Sequence, residues 1–281
     1  MARYLRMNGD SIGPDLILIS GNSLPFKIHG HGPDRKHLLI KSSSTSLKVL
    51  PVAVNHQNIE QRLKFEVQKV VARTPVTIRA YTQNGEVGLR TMVLNVVLLP
   101  LLELPPMDSE AGILVRVLLL ENVAPSNPKF VSQSETLLAM QWMRHVLMNR
   151  LKFGPKYFGA GNANSLSAFI KAPNQVDGFE SYPALTVELS IRLADIIKIA
   201  NDGSDKRYSA CREYVQNALD VVNGAKAGSD PCPAGLYAWR TADARSPGAN
   251  FVKYQTRGGQ DFYTLTQEFR TDPLLKNRQK P

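Results

Sequence analysis

The chain has 281 residues, which at roughly 150 residues per domain sets a prior of about two domains. Lys and Arg outnumber Asp and Glu by 34 to 24, and the 43% hydrophobic, 21% charged composition excludes a disordered chain, a collagen and a coiled coil. Two cysteines, Cys211 and Cys232, exclude a multi-cysteine zinc module and leave a single disulfide open in an oxidising compartment. The net charge of +10 favours a polyanionic partner: nucleic acid, an anionic membrane or the acidic bacterial wall. It is spread along the chain without a dense Lys/Arg run, which fits long-range attraction better than base readout and sets nucleic acid behind the other two.

Residues 1–14 carry Arg3 and Arg6, then Asn8-Gly9-Asp10 in place of an apolar core, and do not read as a secretory signal. Short β-type runs follow at Leu24–His29, His37–Lys41, Leu47–Val54, Arg62–Val71, Pro75–Thr82 and Val87–Leu98. Period-two alternation is visible in Leu63-Phe65-Val67 and Val76-Ile78-Ala80. Asn84-Gly85 fits a tight hairpin turn, since both central positions tolerate positive φ. Short strands with turns between them predict an immunoglobulin-like β-sandwich over residues 1–105, an accessory module without a catalytic group. The apolar run Val93–Leu102 is too short to span a bilayer, so no membrane insertion is expected.

The prolines of Pro100–Pro106 mark a boundary, after which the hydrophobic period lengthens to about 3.6. Ser132-Gln-Ser-Glu135 reads as a capping box opening a helix with Leu138, Trp142, Met143, Val146, Leu147 and Arg150 on helical spacing. Further helices are predicted at Ser165–Lys171, Thr186–Ala200 and Lys206–Val222, the last stopped by Asn223-Gly224. From Gly228 the sequence predicts a loop-rich lobe with a short hairpin, and Leu274–Pro281 a frayed basic tail. The fold class expected is α+β.

One acid closes the apolar run Ile113-Leu-Val-Arg-Val-Leu-Leu-Leu-Glu121. A carboxyl held against hydrocarbon keeps its proton near neutrality and can serve as a general acid for glycosidic bond cleavage. On this run alone Glu121 fits better as a helix end at the solvent edge. His29-Gly-His31 could hold a metal or lie in a polar loop, with His37 and His56 in the same β-rich part. His145 stands alone in the second half, no histidine follows Cys211, and Gly159-Ala-Gly161 lacks the Lys-Ser/Thr of a phosphate loop.

Taken in order, four segments resemble the cell wall hydrolase family that includes the spore-cortex-lytic enzymes. These are Val115-Arg116-Val117 with Glu121; Ala139–Arg150 ending in Asn149-Arg150; Gln175-Val176-Asp177-Gly178-Phe179; and Ala218–Gly224 with Asp230-Pro231 and Gly235-Leu236-Tyr237. They cover about residues 112–240. Where the family commonly follows its glutamate with Ala-Arg-Gly-Glu, this chain has Asn122-Val-Ala-Pro-Ser126.

The resemblance implies a lysozyme-like domain over 106–281 that cuts peptidoglycan between N-acetylmuramic acid and N-acetylglucosamine, without metal or cofactor, with Glu121 as acid/base. Asp177 or Glu180 would orient water or stabilise positive charge at the sugar, unless both are solvated loop acids. If Glu121 acts alone, the product is an anhydro sugar and the enzyme a lytic transglycosylase. Gln175, Phe179, Tyr182 and Tyr237 would contact the glycan, with Trp239 a further stacking candidate. Without a signal, delivery into a rival's periplasm by a secretion apparatus, or release in a phage lysis programme, is expected, the former with a periplasmic immunity protein. A non-catalytic wall-binding or secretion-adaptor protein and a stem-peptide amidase or peptidase using Cys211 are the competing readings.

Overall fold

The structure is a computed structural model that describes residues 3–30, 38–54, 60–81 and 93–271. The chain is α+β and divides into two compact units, residues 1–101 with 201–206 and residues 102–200 with 207–281. The Asn84-Gly85 turn, His31, His37, His56 and the tail from Leu274 lie outside the described residues.

The first unit holds β1 (Arg3–Arg6), β2 (Asp15–Ile19), β3 (Ser23–His29), β4 (Leu39–Ser42), β5 (Leu47–Val54), β6 (Glu60–Val67), β7 (Thr74–Tyr81) and β8 (Val93–Leu99). They form two four-stranded sheets, β1-β3-β6-β5 and β2-β8-β7-β4, in which only the β2·β8 pair is parallel. Alternate residues of both sheets meet in one core, where Phe26, Ile28 and Phe65 from one sheet join Ile78, Leu94 and Leu98 from the other. Phe26 stacks on Phe65 with ring centroids 4.0 Å apart.

Two sequence expectations change here. Strand β1 lies in the stretch read above only for targeting signals, and β2 follows it before the first expected run. Strand β6 ends at Val67 instead of Val71, because Ser20 Oγ takes the Val70 N–H at 3.0 Å and donates to Gln68 O, drawing the chain off the ladder. Val71 is consequently exposed.

In the second unit, α1 (Glu110–Glu121) is buried at every position from Gly112 to Leu120. A helix apolar on all sides must be enclosed, and α1 packs against α2 (Gln133–Phe153), α3 (Leu166–Ile170), α4 (Val187–Ala200) and α5 (Tyr208–Val222). A three-stranded antiparallel sheet in the order β10-β11-β9 follows: β9 (Ala238–Thr241), β10 (Phe251–Arg257) and β11 (Gln260–Leu265), before the short α6 (Gln267–Thr271). The lobe from Gly228 is therefore a sheet with long connections, more regular than a single hairpin.

Only half of the expected capping box is made. Ser132 Oγ accepts the Glu135 N–H at 3.2 Å, but the Glu135 carboxylate turns to Gly258 N and Arg257 at the β10–β11 turn. The helix is capped, and its N3 acid ties it to the sheet.

The start of α1 is held by the proline-rich segment. Ser109 Oγ accepts the Gly112 N–H at 2.9 Å and donates to Pro106 O at 2.7 Å, while Arg116 Nη1 donates to Pro105 O and Gly112 O. This leaves no space at Gly112, where a Cβ would sit 1.8 Å from Pro106 O. Alanine there gains up to about 1 kcal/mol of helix propensity. It forces a backbone shift whose overpacking cost is about 1–3 kcal/mol, and the steric term wins. Gly112→Ala should lower stability by at least about 1 kcal/mol in urea unfolding; a neutral or stabilising result would show that the segment yields easily.

Candidate active site

Glu121 is the last residue of α1, and the end of this helix is buried among side chains. Carbonyls at a helix C-terminus have no intrahelical partner, and in a buried position each needs another donor. Asn122 Nδ2 donates to Leu118 O at 2.9 Å, the Tyr214 hydroxyl to Leu119 O at 2.7 Å, and Gln260 Nε2 to Glu121 O at 2.9 Å. Arg192 Nη2 donates to Asn122 O at 2.7 Å. Donors from α4, α5 and β11 thus fix the backbone from which the Glu121 carboxyl projects.

That carboxyl opens onto a groove of about 560 Å³ whose lining includes Gln175, Asp177, Glu180, Arg192, Trp239 and Arg240. Trp239 Nε1 donates to Glu121 Oε2 at 3.0 Å. Burial disfavours the charged carboxylate and is the largest influence on Glu121. The Trp239 hydrogen bond opposes it, the negative charge of Asp177 adds to it, and Arg192 and Arg240 oppose it more weakly. The balance raises the pKa of Glu121 above the ordinary glutamate value, while the indole holds its Oε2 in place.

The other segments that carry the resemblance converge beside this acid. Asn149 Nδ2 donates to Asp230 Oδ2 at 2.6 Å and to Leu236 O at 3.0 Å. Asp230 also accepts from Cys232 N and Leu236 N, closing the loop over residues 230–236. Arg150 Nε donates to Tyr237 O, and Arg150 Nη1 to Gln175 Oε1 at 3.2 Å. Gln175 Nε2 donates to Phe158 O at 2.7 Å, so Gln175 lines the groove with its amide committed to the scaffold. Asp177 and Glu180 are both exposed at the groove. Gly178 lies between groove and core with φ +75°, a backbone conformation open to glycine, and turns the chain so that Asp177 faces the groove while Phe179 enters the core.

Three expected sugar contacts are corrected. Phe179 is fully buried and Tyr182 is 6% exposed; the two rings stack on one another in the core at 5.8 Å. Tyr237 packs between Phe153 and Phe158, away from the groove, and serves the site through its backbone oxygen. Apolar burial claimed these rings, and Trp239, two residues along, is the aromatic on the groove. Arg192, Arg240 and Gln260 were not read from the sequence, since nothing local marks a residue whose partner lies many tens of positions away.

Cys211 is fully buried and Cys232 nearly so, and neither is in a disulfide, so the pairing left open by the sequence is not formed. A buried Cys211 thiol presents no nucleophile to a polymeric substrate. Among the described residues no cluster of three or more His, Cys, Asp or Glu could hold a metal, and no helix is long and apolar enough to cross a membrane. Comparison with protein-family models and with curated proteins finds no match.

A carboxyl whose pKa is higher folded than unfolded holds its proton better in the native state. Its contribution to stability therefore falls as pH rises through the ordinary glutamate range up to the raised folded value. Glu121→Gln removes this pH-dependent loss while keeping an acceptor for Trp239. The variant should be more stable than wild type at pH 7–8, with the difference shrinking toward pH 4, in unfolding followed across that range. Parallel stability curves would show that Glu121 titrates as an ordinary acid.

Proposed function

We propose that the protein cleaves the glycan strands of peptidoglycan at the β-1,4 bond between N-acetylmuramic acid and N-acetylglucosamine, with Glu121 as acid/base. The observation that carries this reading is a single one: a carboxyl with a raised pKa, fixed by an indole N–H, at the wall of an open polar groove. Glycosidic cleavage needs a proton delivered to the leaving oxygen as the C1–O bond breaks, and a neutral carboxylic acid near pH 7 supplies it. In this reading the α-rich unit is a lysozyme-like domain and the β-rich unit an immunoglobulin-like accessory module.

Glu121 first protonates the glycosidic oxygen, leaving positive charge at the muramoyl C1. The resulting carboxylate then takes the proton of the muramoyl C6 hydroxyl, whose oxygen closes on C1 to give the 1,6-anhydro product. One carboxyl returns to its starting state and no water is consumed. Trp239 favours the carboxylate form and so eases the first transfer, while desolvation restores the proton in the second. Asp177, close enough to influence the charge of Glu121, favours a second reading in which it orients water and the product is a reducing sugar.

The net charge of +10 would draw the protein to anionic wall, with binding that weakens as salt is raised. A rival bacterium's wall is the substrate implied by delivery through a secretion apparatus, with a periplasmic immunity protein covering the groove. The non-catalytic wall-binding reading is separated from this by activity alone.

Digestion of purified sacculi, with the released fragments read by mass spectrometry, tests the proposal. Wild type should release anhydro-muramoyl ends, and Glu121→Gln should lower the rate by about 10²- to 10⁴-fold. Reducing ends would transfer the second role to Asp177 or Glu180, to be separated by Asp177→Asn and Glu180→Gln. Cut stem peptides on intact glycan, or no release at all, would contradict the proposal.

A further inference from the structure

Arginine chemistry in the groove exceeds what an acid/base step requires. Arg150, Arg192 and Arg240 all line it, facing two acids that are exposed there, Asp177 and Glu180, besides Glu121, whose raised pKa favours its neutral form. Arg192 is committed in part to the backbone at the end of α1. The other two are less readily explained.

Arg150 comes from α2 and is enclosed by neutral groups. Its Nε donates to Tyr237 O, its Nη1 to Gln175 Oε1, and its guanidinium lies 5.1 Å from the centre of the Phe158 ring. Arg240 comes from β9 and is exposed. Among the described residues neither guanidinium is in an ion pair with a carboxylate. Burial and the like charge of Arg240 push the pKa of Arg150 down to about 10, so the two cations act on one another. Placing a desolvated guanidinium beside a second one costs stability unless an anion is to be received. A guanidinium presents paired N–H donors whose spacing matches the two oxygens of a carboxylate.

We propose that Arg150 and Arg240 form a carboxylate-binding subsite of the groove, which takes an acidic substituent of the muramoyl residue and thereby distinguishes peptidoglycan from neutral N-acetylglucosamine polymers. The inference rests on the glycan reading above and deepens it. Arg150 is the rigid half of the subsite, oriented by Tyr237, Gln175 and Phe158. Arg240 is the exposed half that closes on the anion. The carboxylate has two possible sources: the lactyl group of muramic acid where no peptide is attached, and the acidic residues of the stem peptide where the lactyl carboxyl is tied up as an amide.

The test is calorimetric binding to the Glu121→Gln protein, which removes turnover. Three probes are used: chitobiose, the disaccharide of N-acetylglucosamine and N-acetylmuramic acid, and the same disaccharide carrying an alanyl-isoglutamine dipeptide. The first two differ at the lactyl ether that bears the carboxylate. The muramic disaccharide or its dipeptide form should bind about tenfold more tightly than chitobiose, as a charged hydrogen-bonded contact contributes. Arg240→Gln should abolish that preference, and Arg240→Lys should restore part of it. Tighter binding of the free disaccharide assigns the lactyl carboxylate, and tighter binding of the dipeptide form assigns the peptide acid.

Equal binding of chitobiose, or a preference that survives Arg240→Gln, overturns the subsite. Thermal unfolding of each variant confirms that it is folded, which the exposure of Arg240 leads one to expect. Cleavage of sacculi by the wild-type chain is scored separately. Lost selectivity with cleavage intact removes only the subsite, whereas selectivity without cleavage removes only the catalytic reading.

Discussion

A helix that is apolar on every side has to end somewhere, and the C-terminus of α1 ends inside the protein. Its carbonyls accept from Asn122, Tyr214 and Gln260, and the residue that follows accepts from Arg192. An unpaired buried carbonyl costs about 1–3 kcal/mol, so these donors are needed for the helix to be enclosed at all. They come from α4, α5 and β11 as well as from the helix end itself. The same requirement fixes Glu121, because its backbone is held at the point where core gives way to groove.

From that fixed position the electrical character of the groove follows. A carboxyl at the negative end of a helix, partly removed from water and facing Asp177, is disfavoured as an anion. Trp239, Arg192 and Arg240 oppose this without reversing it. A group that keeps its proton in this way lowers the stability of the native state near neutral pH, a cost that an acid held ready to donate can justify. Arg150, half-buried among neutral acceptors next to Arg240, carries a second cost of the same type. Both lie on one groove.

Much of the architecture was legible because it rests on local periodicity. The alternation of Leu63, Phe65 and Val67 places β6, the spacing of Trp142, Val146 and Leu147 places α2, and Asn223-Gly224 marks the end of α5. The apolar run closed by Glu121 drew attention to that acid, but the run alone favoured a helix end at the solvent edge, and the order of the four resembling segments set the catalytic expectation. What escaped was contact between distant segments. Phe179 and Tyr182 were read as groove aromatics from their neighbours in sequence, yet packing took both into the core and left Trp239 on the groove. Gln260 meets Glu121 across 139 positions, and Glu135 left its expected cap for the β10–β11 turn. Short β1 was missed because two apolar residues between charged ends carry too little pattern to register.

The central claim is that Glu121 keeps its proton where ordinary glutamates have lost theirs. Carbon-13 NMR of the side-chain carboxyls, titrated in wild type with Glu121→Gln identifying the resonance, measures this directly. The account predicts a midpoint above the ordinary glutamate range, moving higher still in Trp239→Phe as the indole donor is lost. A midpoint within the ordinary range, unmoved by Trp239→Phe, would contradict it.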